Sequence, residues 1–121
     1  MFRLSVETTI SAAHYLKGYE GPCSDLHGHN WRIVAEVESG QLNEVGMVID
    51  FKDLSDILRD TARRYDHVTL NQIEPFDRIN PTAEHISRLI FTEMQGRLPE
   101  HVRMSRVSVW ETEKCLVEYY E

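Results

Sequence analysis

Two long runs of strict alternation limit this chain more than any other feature. Residues 2–14 place Phe2, Leu4, Val6, Ile10 and Ala12 on one phase and Arg3, Ser5, Glu7, Thr9 and Ser11 on the other. Residues 29–38 repeat the pattern, with Trp31, Ile33, Ala35 and Val37 set against Arg32, Val34, Glu36 and Glu38. A period of two is the mark of a strand with one buried face. Between the runs, residues 15–26 carry Gly18, Gly21 and Pro22 and read as a loop.

The middle of the chain changes period. A turn-rich piece from Ser39 to Asn43 leads into the short apolar run Met47-Val48-Ile49. Asp50 is placed to cap a helix, with Asp53 in its first turn, and Phe51, Leu54, Leu58 and Tyr65 keep helical spacing. After a loop containing Asn71, Pro75 and Asp77, Asn80-Pro81-Thr82 opens a second helix, with the proline suited to its first turn. Ala83, Ile86, Leu89, Ile90 and Met94 make its apolar face, and Gly96 and Pro99 end it. Two strands follow, near 103–111 and 115–120, joined by Thr112-Glu113-Lys114. The order β-β-α-α-β-β predicts an α+β fold, an antiparallel sheet with both helices on one face. Four strands leave the other face to be covered, and another subunit would supply that cover.

At 121 residues the chain suits a single domain, 1–121, with a modest core, which makes association into oligomers an open possibility. The formal net charge of −7 argues against nucleic acid as a general partner. It leaves room for an anionic substrate held by a local basic cluster. No apolar stretch approaches the ~20 residues that cross a bilayer, so no membrane role is expected. The N-terminus, with Glu7 close behind Phe2 and Leu4, lacks the layout of a signal peptide. Cys23 and Cys115 form no disulfide framework, and a reducing cytoplasm is the expected location.

The stretch Cys23-Ser24-Asp25-Leu26-His27-Gly28-His29-Asn30-Trp31 holds the chemistry. His27 and His29 continue the phase of Trp31, Ile33 and Val37, and His14 continues that of Ile10 and Ala12. Residues two apart on a strand face the same way, so three imidazoles are expected at the end of the buried face. A lone His-x-His pair is usually solvated or hydrogen-bonded. Three imidazoles buried without partners are unfavourable, and a metal ion that takes all three nitrogens removes the cost. Neutral imidazoles favour zinc, and three of them leave its fourth position open for catalysis. Cys23, four residues before His27, is either a fourth ligand that closes the site or a free thiol beside the metal. Spacing alone does not choose between these.

Glu111 shares the phase of Val107 and Val109, where a carboxylate needs a partner. Asp66 precedes His67 after the first helix, where a carboxylate orients an imidazole; such pairs are commonly exposed. His85, His101 and Lys17 read as solvated, Cys115 as a small buried side chain, and Trp31 and Trp110 as core or interface.

Taken together, "SAAH", "CSDLHGHN", "YDHVTLN", "NPTAEH" and "VWET", in that order from residue 11 to residue 112, resemble the 6-pyruvoyltetrahydropterin synthase family, and most closely its bacterial 6-carboxy-5,6,7,8-tetrahydropterin synthase branch. Three residues separate Cys23 from His27, as in that branch; the animal pyruvoyl-forming enzymes have a longer spacer. The resemblance implies the tunnelling fold, with sheets joined into a barrel, trimers stacked into a homohexamer, and sites between subunits. It implies a Zn2+ ion on His14, His27 and His29, Cys23 as the catalytic thiol, and Asp66 with His67 as a proton relay. Glu111 would be an anchor for the pterin ring and Thr82 a lining residue of its pocket. The implied reaction converts 7,8-dihydroneopterin triphosphate to 6-carboxy-5,6,7,8-tetrahydropterin, acetaldehyde and triphosphate in queuosine biosynthesis. The alternatives are the same chemistry stopped at 6-pyruvoyltetrahydropterin and, in another class, a zinc-stabilised binding module without turnover.

Overall fold

The computed structural model of the chain describes residues 1–121. Both alternating runs are long strands. β1 spans Phe2–His14 and β2 spans His27–Ser39, and they pair antiparallel in unbroken register from Phe2 opposite Ser39 to His14 opposite His27. The second strand therefore starts two residues before the apolar alternation does, on the histidine pair itself. The Met47-Val48-Ile49 run is not a strand; Val48 alone is buried, and the run leads straight into α1, Phe51–Ala62. Asp50 caps that helix, its carboxylate accepting from the Lys52 N–H at 2.7 Å. Leu54 and Leu58 are fully buried, whereas Phe51, expected on the same face, is 59 % exposed at the first position of the helix.

α2 spans Ala83–Gln95, capped by Thr82, whose hydroxyl accepts from the His85 N–H at 3.2 Å. Pro81 thus stands just outside the helix, not in its first turn. β4, Arg103–Thr112, and β5, Cys115–Tyr119, complete an antiparallel hairpin on the far side of β2. The sheet has five strands, not four. A two-residue strand, β3, Val68–Thr69, runs parallel to β1 beside Ala12 and Ala13, giving the order β3-β1-β2-β4-β5.

α1 lies against β1, α2 lies against β4 and β5, and the helices touch each other. One core joins them to the sheet: Ile10, Trp31, Ile33, Ala35, Val37, Val107 and Val109 meet Leu54, Leu58, Ile86, Ile90 and Met94. Each valine, leucine, isoleucine or methionine among them, taken from water, contributes about 1.5–3 kcal/mol before chain entropy is set against it. β4 keeps its apolar residues inward only by slipping phase. A bulge opposite Glu36 and Val37 puts Met104 on an even position and Val107 and Val109 on odd ones, all facing the core.

The other face of the sheet is polar. Glu7 pairs with Arg32 at 2.9 Å, Glu36 with Arg106 at 2.9 Å, and Glu38 with Arg103 at 2.6 Å. Arg32 also lies over the Trp110 ring, 4.4 Å from its centre. Each of these pairs has a solvated arginine, and ion pairs of that kind add little to stability, so this face does not hold the fold together. Cys115, expected to be buried, is exposed because β5 is a short edge strand.

Candidate metal centre and its surroundings

The register that pairs His14 with His27 also sets Ala12 opposite His29. Three imidazoles therefore share the core-facing side at one end of the sheet. Their ring centres lie 4.6, 5.3 and 4.7 Å apart, and Trp31 stands edge-on beneath His14 and His29 at 4.9 and 5.2 Å. The Trp31 Nε1–H donates to the Ala12 carbonyl at 3.1 Å, which fixes this floor.

The backbone fixes which nitrogen of each ring is free. His14 Nδ1 meets the Pro81 carbonyl at 2.8 Å and His27 Nδ1 meets the Asp25 carbonyl at 2.6 Å. A carbonyl only accepts, so both Nδ1 atoms carry the proton and both Nε2 atoms present lone pairs. Those two Nε2 atoms face each other across 3.1 Å. Two lone pairs at that distance repel unless a proton or a metal ion lies between them. His29 Nε2 is buried and has no hydrogen-bond partner; the Glu111 carboxylate lies 3.1 Å away but at an angle unsuited to a hydrogen bond. Burial holds His14 and His29 below the usual imidazole range, so both are neutral near pH 7, the form that ligates a metal.

Glu111 completes the group. It sits at a bulge in β4, between Trp110 opposite Leu116 and Thr112 opposite Cys115, in phase with Val107 and Val109. One ligand atom each from His14, His27, His29 and Glu111 lies within 4.8 Å of all the others. Nitrogen ligands of a tetrahedral zinc site are about 3.3 Å apart, so His14 and His27 already stand close to ligand spacing. The donor set and the orphaned Nε2 fit a divalent ion. Sequence reasoning placed Glu111 near the site but did not put it among possible ligands. The signal was its phase, which could be used only once β4 was known to lie beside β2.

Cys23 is not one of the converging atoms. It is half-buried in a turn of 3-10 helix, Pro22–Ser24, and its carbonyl accepts from the Leu16 N–H at 3.0 Å. Asp66 and His67 lie on the outer side of β1. Asp66 Oδ1 accepts from the Ser11 N–H at 2.8 Å and lies 2.9 Å from His67 Nδ1. The Ser11 bond, reinforced by His67, keeps the Asp66 carboxyl below the usual carboxylate range. His67 has a φ of 58°, rare for a residue with a side chain, and its ring is 80 % exposed. Tyr65, just before this pair, is buried and donates to Glu93 of α2 at 3.1 Å, which ties the segment down.

A cleft of about 500 Å3 opens beside these groups, lined by Ser11, Ala13, Gly28, Asn30, His29 and His67. A larger hollow of about 620 Å3 lies at the opposite end of the sheet among Arg3, Glu36, Glu38, Arg103 and Arg106, whose charges pair with one another; none of the residues selected from the sequence reaches it. Thr82 spends its hydroxyl on the α2 cap. His85, expected to be solvated, is half-buried with Nδ1 on the Asn80 carbonyl at 2.7 Å, and His101 Nε2 lies 3.0 Å from the Val48 carbonyl.

Comparison with known proteins bears on the family and the fold. The family model described as 6-pyruvoyl tetrahydropterin synthase matches residues 3–121. A 6-carboxy-5,6,7,8-tetrahydropterin synthase of Haemophilus influenzae is 33 % identical over an alignment that covers 100 % of both chains. A dihydroneopterin monophosphate aldolase of Pyrococcus furiosus is 33 % identical, covering 96 % of this chain and 95 % of that one. The solved structure of Caenorhabditis elegans 6-pyruvoyl tetrahydropterin synthase superposes with a TM-score of 0.86 over 99 % of this chain and 95 % of its own, at 24 % identity, a likeness of fold. The chain belongs to the 6-pyruvoyl tetrahydropterin synthase family.

Proposed function

We propose that this chain is a zinc-dependent lyase that converts 7,8-dihydroneopterin triphosphate to 6-carboxy-5,6,7,8-tetrahydropterin, acetaldehyde and triphosphate, in the route to queuosine. The observation that carries the reading is the set of three imidazoles whose free Nε2 atoms converge, two at 3.1 Å and one buried without a partner. His14, His27 and His29 would hold the zinc, which when bound polarises side-chain oxygens of the substrate and acidifies their hydroxyls. Cys23, outside the ligand set, is free to act as the base that takes a proton from the substrate side chain. His67 returns a proton, its ring oriented by Asp66. Groups of this kind typically supply ~10²–10⁴-fold each.

Glu111 would receive the pterin. The ring presents neighbouring N–H donors, and a carboxylate has two oxygens to accept them. Its side chain is 29 % exposed, so it can be reached. With a metal on His29 Nε2, the carboxylate either stays as a further ligand or turns to the ring. Glu111→Gln separates these. A ring anchor raises KM at unchanged zinc content; a ligand loses zinc. We expect the first result, measured by steady-state kinetics alongside metal analysis. Thr82, next to the Pro81 carbonyl that holds His14, would line the same region from the α2 cap.

The chain would work as a single-domain cytoplasmic protein assembled into a hexamer of two trimers, with its sheets joined as a barrel. Two edges support this. β1 is paired on its outer side only near its end, by β3 at Ala12 and Ala13, and β5 closes the other side as a five-residue strand. Both offer backbone groups to a second sheet. The residues that bind triphosphate would then come in part from a neighbouring subunit.

A second reading, cleavage of a dihydroneopterin monophosphate by an aldolase reaction, has the Pyrococcus relative in its favour. Product identification by mass decides. Incubated with dihydroneopterin triphosphate, the zinc-loaded protein is expected to release acetaldehyde and 6-carboxytetrahydropterin. Accumulation of 6-pyruvoyltetrahydropterin would mean that the reaction stops earlier. Inertness toward the triphosphate with turnover of the monophosphate would establish the aldolase, and no turnover of either would leave a zinc-stabilised binding module.

A further inference from the structure

β1 ends at His14, yet the ordered edge of the chain does not end there. The next residues are paired by side chains in place of a strand. The Tyr15 N–H donates to Asn71 Oδ1 at 3.0 Å, and Asn71 Nδ2 donates to the Tyr15 carbonyl at 2.9 Å. Two residues on, the Lys17 N–H donates to Asn80 Oδ1 at 2.9 Å, and Asn80 Nδ2 donates to the Lys17 carbonyl at 2.9 Å. The pattern begins earlier, where Asp66 Oδ1 and the His67 N–H take the N–H and carbonyl of Ser11 and β3 takes over at Ala12 and Ala13. In an extended chain the N–H and C=O of one residue point to the same side, and those of the next residue to the other. A primary amide offers one acceptor and donors side by side, so it replaces a strand residue; a carboxylate lacks the donor. Tyr15 and Lys17 are thereby fixed on one side, and Leu16 between them must point its N–H to the other. There it meets the Cys23 carbonyl at 3.0 Å.

We propose that Asn71 and Asn80 are positioning residues for the Cys23 thiol, extending β1 by three residues so that Leu16 holds the turn that carries Cys23. The inference rests on the reading of Cys23 as the proton-transferring group. Within the turn, the Ser24 and Asp25 N–H groups bond back to Gly21 and Pro22 and the Asp25 carbonyl holds the His27 ring, while the Leu16 bond is the one that ties Cys23 itself across to the extension of β1. The same segment serves the imidazoles, since Pro81, next to Asn80, supplies the carbonyl that fixes His14. Metal centre and thiol are thus set relative to each other by one stretch of chain, Asn80-Pro81. Asn71 is 7 % exposed, so its loss threatens folding; Asn80 is half-buried and is the better probe.

The test compares Asn80→Ala, Asn80→Asp and Asn71→Ala with the parent, all in a Cys115→Ser background so that iodoacetamide reports Cys23 alone. For Asn80→Ala we expect kcat to fall by about 10²-fold, the scale of a misplaced reacting group, with KM and zinc content unchanged. Cys23 of the folded, zinc-loaded protein should alkylate faster, as the turn comes loose. Asn80→Asp keeps the acceptor for Lys17 and loses the donor, so kcat and alkylation rate should fall between those of the parent and the alanine variant. Asn71→Ala should move both readouts in the same direction. An Asn80→Ala protein with parental kcat and alkylation rate overturns the proposal. So does loss of zinc, which would mean that Asn80 acts through Pro81 and His14, and so does a fall in melting temperature with no change in alkylation. Cys23→Ala is run beside them. If it turns over normally, the role of the thiol is wrong, while the alkylation rates still report whether the amides hold the turn.

Discussion

Replacing His27 with alanine is expected to cut zinc affinity by more than about 100-fold, the upper range for losing even an outer-shell partner of a metal ligand, and to abolish turnover. Competition with a chromophoric chelator measures the first effect and product release the second. A third readout separates a metal ligand from a ring that merely fills space. In the metal-free protein, His14 and His27 hold their Nε2 atoms 3.1 Å apart, each ring locked there by a backbone carbonyl, and at a pH where no proton is shared between them the two lone pairs repel. Removing one ring removes that repulsion. The metal-free variant should therefore melt no lower than metal-free wild type. Zinc should raise the melting temperature of wild type alone, by an amount equivalent to about 4 kcal/mol when free zinc exceeds Kd a thousandfold. A metal-free variant that melts well below metal-free wild type would show that the ring is held for packing, and the metal reading would fail.

Cys23→Ala should lower kcat by ~10²–10⁴-fold, the range for a general acid or base, and leave one zinc bound per chain. The structure sets the second half of that expectation. The atoms that converge come from His14, His27, His29 and Glu111, and the sulfur is not one of them. Metal content by mass spectrometry of the native protein, together with a single-turnover assay, gives both numbers. Loss of zinc along with activity would make the thiol a ligand. Full activity would move the proton transfer to another group, with His67 next in line.

The convergence of the three imidazoles was readable in the sequence because strand phase is a local property. His14 continues Ile10 and Ala12, His27 and His29 continue Trp31 and Ile33, and an unbroken register brings the two sets together. The cap of the first helix was readable for the same reason, since Asp50 acts within two residues of its own position; at the second helix the start was read one residue too early, because Pro81 fits either side of a cap at Thr82. What escaped depended on distant partners. β3 is two residues long and has no period; it is a strand only because Ala12 and Ala13 lie beside it. Glu111 joined the imidazoles only once β4 was seen next to β2, since one strand's phase says nothing about its neighbour. Phe51 has the right spacing for burial, yet it is exposed at the helix start, and a helical period does not report how far a partner surface reaches. The amides of Asn71 and Asn80 read as ordinary loop residues because the edge they complete belongs to a segment more than fifty residues away.

The slip of phase in β4 makes that strand a junction between two numbering rules. Upstream, Met104 reaches the interior from an even position; downstream, Val107, Val109 and Glu111 do so from odd ones. Excising Ser105 would make Met104 and Arg106 neighbours and straighten the ribbon, with Met104, Val107, Val109 and Glu111 all still turned inward; adding a residue between Arg106 and Val107 would instead turn either Met104 or the whole set of Val107, Val109 and Glu111 to the polar side. The ribbon therefore tolerates a residue lost there better than one gained, and a gain would set the hydrocarbon interior against the placement of the carboxylate.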